Sequence, residues 1–189
     1  MKYLLTVITL LALVQGCAPI VVGGAAVGAV AVADDQRTTG TIVDDQGIEL
    51  KIGKAIEDVI ELREQTHINV TSFNGMVLLT GEAMTAAQRA HIEKLARETV
   101  KVRRVINEIV TGPATSLTSR SRDSWITTKV KSQLFGDSDV PGNQVKVVTE
   151  AQTVYLMGLV SRNEGDRAAN IARHTASVKR VVKLFEYTN

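Results

Sequence analysis

Apolar positions along the chain fall into two rhythms, and the alternation between them predicts the elements. Ile48, Ile52, Ile56 and Val59-Ile60 recur at helical spacing. Ile68-Asn69-Val70-Thr71 and Val77-Leu78-Leu79-Thr80-Gly81 then flank Phe73-Asn74-Gly75, and an Asn-Gly pair between such segments predicts a β-hairpin. Ala86 to Thr99 returns to helical spacing, with Ala90, Leu95 and Ala96 among its apolar positions. Val102, Val105-Ile106 and Ile109-Val110 predict a closing strand.

The same order is then repeated. Ile126, Val130 and Leu134 match Ile48, Ile52 and Ile56 at an offset of 78. Gln144 to Val148 is a strand, and Glu150-Ala151-Gln152 stands where the Asn-Gly turn stood. Val154-Tyr155-Leu156-Met157-Gly158 matches Val77 to Gly81 at an offset of 77. Asn163 to Ala176 is a helix, and Val178, Val181-Val182 and Phe185 match Val102, Val105-Ile106 and Ile109 at 76. Single-residue insertions and deletions account for the drift. The expected fold class is α+β: two tandem units of helix–strand–strand–helix–strand, each a three-stranded mixed sheet covered by two helices. The expected boundaries are 47–112 for the first unit, 113–121 for a polar linker opening on Gly112-Pro113, and 122–189 for the second.

The N-terminus carries a different signal. Lys2 supplies a positive start, and Leu4 to Val14 is an apolar run long enough for a signal-peptide core but too short to span a bilayer. Val14-Gln15-Gly16-Cys17 follows and resembles the bacterial lipobox, so 1–16 is expected to be a lipoprotein signal peptide and Cys17 the acylated residue. Two other readings are a signal cleaved elsewhere and an uncleaved membrane helix; Gln15, Pro19 and the glycines at 23, 24 and 28 oppose the latter. Residues 17–46 are expected to form the acylated N-terminus and a tether. Each buried CH₂ contributes about 0.8 kcal/mol, so two or three acyl chains hold the chain permanently. Further lipid contact would serve orientation or lipid selection. The rule that a residue other than Asp after the cysteine directs a lipoprotein outward, with Ala18 here, implies the outer membrane.

Composition sharpens this picture in one respect. Residues 34–112 hold 10 Lys/Arg against 13 Asp/Glu, whereas 113–189 hold 11 against 7. The second unit is therefore the half suited to an anionic partner, although the bias is too small to indicate nucleic acid. In the first unit Glu57, Asp58, Glu61 and Glu64 form an acidic run, either a solvated face or a contact with the second unit or a protein partner. With one cysteine there is no internal disulfide. His67, His91 and His174 are scattered, no metal or cofactor is expected, and no P-loop, Rossmann or nucleophile-elbow pattern occurs. Asp44-Asp45 reads as adjacent loop carboxylates without an acid–base partner. No enzyme is indicated.

The units share a core stripe and differ at the surface. Trp125, the single tryptophan, stands where the first unit has Gly47, with Lys129 one turn on and Lys131 nearby. An indole beside ammonium groups suits a membrane interface, and it equally suits a ring covering the edge of its own core. Ile68-Asn69-Val70-Thr71, Val77-Leu78-Leu79-Thr80-Gly81, Asn107-Glu108-Ile109, Trp125 to Leu134, Met157-Gly158-Leu159-Val160 and Val178-Lys179-Arg180-Val181 resemble the BON domain. Two such domains behind a lipobox resemble the dual-BON outer-membrane lipoproteins. That resemblance implies an outer-membrane, periplasm-facing protein that binds anionic phospholipid through its second domain and supports membrane integrity. The lipid-binding set is then Trp125, Thr128, Lys129 and Ser132, closed by Leu134 and Phe135, although Leu134 also belongs to the core stripe. The alternative partner class is the outer-membrane assembly machinery, with the tandem domains as a scaffold.

Overall fold

The computed structural model describes residues 37–188, so Cys17 and the signal peptide lie outside the described residues. The first unit opens with α1 (Thr39–Glu57) and a short α2 (Ile60–Gln65), followed by β1 (Thr66–Phe73), β2 (Met76–Ala83), α3 (Ala86–Glu98), β3 (Arg104–Asn107) and β4 (Val110–Thr111). The second runs α4 (Leu117–Phe135), a 3₁₀ turn at Gly142–Gln144, β5 (Lys146–Glu150), β6 (Thr153–Val160), α5 (Arg162–His174) and β7 (Arg180–Tyr187).

Both sheets are mixed. β1 pairs antiparallel with β2 and β5 with β6, each through a two-residue turn. β3 and then β4 pair parallel with β2 in a single interrupted lane, and the unbroken β7 takes that place beside β6. The glycine closing the Val-x-Leu-x-Gly motif is needed for close strand approach: a Cβ at Gly81, whose φ is +107°, would sit 1.9 Å from the His67 carbonyl oxygen.

The helices start earlier than the apolar stripe indicates. Thr38 caps α1, accepting from the Thr41 N–H at 3.1 Å, and Ser116 caps α4, accepting from the Ser119 N–H at 3.2 Å. Residues 39–46 are thus taken from the expected tether and 117–121 from the expected linker. Their polar first turns show no periodicity, so the caps and not the stripe mark the starts. Trp125 consequently lies in the middle of its helix. The first helix also ends at Glu57, and Ile60, expected on its stripe, is exposed at the start of α2.

Each unit has its own core. Ile48, Ile52, Ile56, Leu62, Val77, Leu79 and Ile92 fill the first; Ile126, Val130, Leu134, Val147, Val154, Leu156 and Ala168 fill the second. A third cluster joins them. Phe73, Met76 and Leu78 of the first sheet meet Tyr155 and Met157 of the second, with Ile106, Val148, Val182 and Leu184 packed around them. The helix-free faces of the two sheets are therefore pressed together, giving helix, sheet, sheet and helix layers. β1 lies over β5 in opposite directions, since Asn69 meets Glu150 while the Ser72 carbonyl meets Lys146. At the other edge Glu108 meets Arg180 and Asn74 meets Glu186. Equivalent positions contact one another nearly reciprocally, as in an isologous dimer.

Candidate functional site

Helix α4 is built to hold one face in and display the other. Asp123, Ile126, Val130 and Leu134 are buried on one side. Opposite them run Leu117, Ser121, Trp125, Thr128, Ser132 and Phe135, with Leu117 77%, Trp125 46% and Phe135 64% exposed. At 1.5 Å per residue, the three apolar side chains are spread along about 27 Å of helix. The Lys129 ammonium lies 5.6 Å from the Trp125 ring centroid, a cation–π arrangement that keeps both groups on the outer face. The Thr128 hydroxyl donates to the Ser124 carbonyl at 3.0 Å, and Thr127 points inward to Thr149 at 2.8 Å.

Of the expected set, Trp125, Thr128, Lys129, Ser132 and Phe135 share this exposed face. Leu134 does not. It is fully buried among Ile126, Val130 and Val140 and is a core residue, because its place is on the inward stripe. Leu117 was missed: it precedes the apolar stripe in a stretch that reads as linker, and only its helical phase relative to Trp125 could have found it.

The buried Asp123 holds the adjoining hairpin. Its carboxylate accepts from the Ala151 and Gln152 N–H groups, both at 2.9 Å. Asp45 does the same for Asn74 and Gly75, at 2.7 and 2.9 Å, and accepts from Ser72 Oγ and Arg37. Asp45 is thus a buried helix residue anchoring a turn, which corrects its reading as one of two loop carboxylates.

The first unit lacks the corresponding surface. Gly47, Thr39 and Glu57 stand where α4 has Trp125, Leu117 and Phe135, while Val43 and Leu50 are exposed on α1, 60% and 74% respectively. The acidic run is a solvated face: Glu57, Asp58, Glu61 and Glu64 are exposed, with Lys54 on Asp58 at 2.9 Å and Arg63 near Glu64 at 3.5 Å. The carboxylates that do reach the second unit are others. Glu49 pairs with Lys146 at 2.8 Å and Glu108 with Arg180 at 2.7 Å. Glu108 also accepts from the Tyr155 hydroxyl at 3.2 Å. Burial, helped by the Glu108 charge, pushes the Tyr155 phenol up to about 12. Among the described residues no helix is long and apolar enough to cross a membrane.

A helix, hairpin, helix and parallel closing strand, written twice and paired sheet to sheet, define a class of small α+β tandem-repeat proteins. The family model of the BON domain matches residues 44–113 and 122–189, and the chain belongs to the BON-domain family. It is 40% identical to outer membrane lipoprotein DolP of Haemophilus influenzae over 92% of this chain and 89% of that protein. It is 39% identical to the 21 kDa hemolysin of Actinobacillus pleuropneumoniae over 81% of this chain and 79% of that protein. Osmotically-inducible protein Y of Escherichia coli is 30% identical over 79% and 76%. These similarities support an outer-membrane lipoprotein with two BON domains.

Proposed function

We propose that the protein faces the periplasm, is held to the outer membrane through acylated Cys17, and reads anionic phospholipid with the outer face of α4, without catalysing a reaction. One observation carries this reading: the single tryptophan is half-exposed at the centre of a helix face, beside a lysine and between exposed Leu117 and Phe135. Indole and aliphatic groups enter the headgroup region, while Lys129, Arg122 and Lys131 meet phosphates. Each basic group near an anionic leaflet contributes about 1 kcal/mol, so the free domain binds weakly. Acyl anchoring raises its effective concentration at the surface and makes the weak contact matter.

The reading is tested by flotation of the unacylated chain with phosphatidylglycerol and with phosphatidylcholine vesicles. Binding should favour phosphatidylglycerol and fall about tenfold, near 1.4 kcal/mol, in Trp125→Glu. Equal binding by that variant would remove α4 as the lipid face. Exposed Val43 and Leu50 on α1 favour a second reading, docking to outer-membrane assembly proteins. In-cell crosslinks from α1 that persist in Trp125→Glu would support it.

A further inference from the structure

At one end of the sheet-to-sheet interface each unit buries a carboxylate. Glu150, the last residue of β5, is 8% exposed, and its Oε2 accepts from Asn69 Nδ2 at 2.8 Å and from the Thr80 hydroxyl at 3.4 Å, both in the first unit. Glu82, from β2, is 6% exposed and its Oε2 has no hydrogen-bond partner. The charged and titratable groups around this point are few. β1 supplies His67, β2 supplies Glu82, and α4 supplies Asp123 and Arg120. His67, Asp123 and Arg120 line a cavity of about 290 Å³ with Asn69, Thr149 and Glu150. Asp123 is committed to the hairpin amides, and Arg120 Nε is without a hydrogen-bond partner.

We propose that Glu150 and Glu82, which follows the Glu150-bonded Thr80 by two residues on the same face of β2, form a proton-operated latch between the two BON domains, closed when the site takes up a proton and loosened when both carboxylates are charged. Two buried like charges repel strongly where water is excluded, and an orphaned carboxylate oxygen adds its desolvation cost. A proton on the pair removes the repulsion and turns one oxygen into a donor. Burial, with the Glu82 and Asp123 charges behind it, raises Glu150 above the usual carboxylate range, while Asn69 and His67 pull the other way. A carboxyl raised by docking favours the docked state at low pH, and that contribution is lost as pH rises through the docked value. Between the undocked and docked midpoints, the docking equilibrium changes about tenfold per pH unit. The latch stands apart from the lipid reading, yet it touches the same helix: Asp123 ties the Glu150 turn to α4, so proton uptake would also stiffen the helix that carries Trp125.

The test uses the full unacylated chain with ¹³C-carboxyl NMR titration of Glu82 and Glu150, and amide hydrogen exchange of β6 across the same pH range. Glu150 should titrate above an ordinary glutamate, and β6 amides should be better protected, after correction for intrinsic exchange, on the acid side of its midpoint. Glu82→Gln, which removes the like charge, should move the Glu150 midpoint down; Asn69→Ala, which removes the donor to the carboxylate, should move it up. In Glu150→Gln the pH dependence of β6 protection should disappear while the fold persists. An ordinary glutamate titration, or β6 protection that varies with pH equally in Glu150→Gln and the parent, would overturn the latch. Should Glu150→Gln fail to fold, the opposite movements in the other two variants decide the matter.

Discussion

Asp45 and Asp123 do one job in two places, and the turns they hold differ in how much they need it. In the first unit the turn residues Asn74 and Gly75 have φ of 51° and 72°, a conformation that asparagine and glycine adopt readily. In the second, Ala151 and Gln152 are held at 48° and 64°, where residues with a Cβ are strained by about 1–2 kcal/mol. Gln152→Gly is therefore expected to raise stability by about 1 kcal/mol in urea unfolding, offset only by loss of the Gln152 side-chain bond to the Ser177 carbonyl. Asp123→Ala strands two turn donors and should cost about 2–3 kcal/mol in the same measurement. Neither aspartate could be assigned from sequence. Both sit on the apolar side of a helix, yet nothing in a helical pattern says that a carboxylate there will find two turn amides some 28 residues on.

At the scale of elements, legibility followed periodicity. The hairpins and the core stripes were readable because Asn74-Gly75, Val77 to Gly81 and their repeats carry strong local signals. Helix starts were not, because Thr38 and Ser116 act through cap hydrogen bonds and the first turns they open carry no apolar stripe. The broken third lane, β3 then β4, was equally hidden, since Asn107 interrupts it by accepting from the Ile109 N–H with its side chain. The consequence for the proposed lipid face is that it is longer than the sequence indicated. Leu117 and Phe135 lie at the two ends of α4 and are mostly exposed, so replacing both with Ser should change folding stability by no more than about 0.5 kcal/mol. Vesicle binding should nevertheless weaken severalfold. A comparable loss of thermal stability in the double variant would show these side chains to be packed rather than displayed.

Across the whole molecule, the pairing of the two sheets was the feature least visible beforehand, although part of its signal was present. Val77-Leu78-Leu79 and Val154-Tyr155-Leu156-Met157 are apolar on both faces, and a strand apolar on both faces is covered on both. One face goes to the helices; the other goes to the opposite unit. The unequal charge of the halves also finds part of its explanation here, in Glu49 with Lys146 and Glu108 with Arg180. Met157→Asp places a charge in the centre of this contact and should cost about 3 kcal/mol or more, dividing one cooperative unfolding transition into two. Tyr155, raised to about 12 from an ordinary 10.0, favours the docked state below pH 10 and loses that contribution as pH climbs toward 12. Absorbance titration should show one late tyrosine that is missing in Tyr155→Phe.

The two units, joined through their sheets, present a single tryptophan on the outer side of α4. That residue reports on its own surroundings without labelling. On titration with phosphatidylglycerol vesicles containing brominated acyl chains, Trp125 emission should shift to the blue and be quenched, with little change for phosphatidylcholine. Emission that stays unshifted and unquenched while the protein demonstrably binds the vesicles would contradict the account.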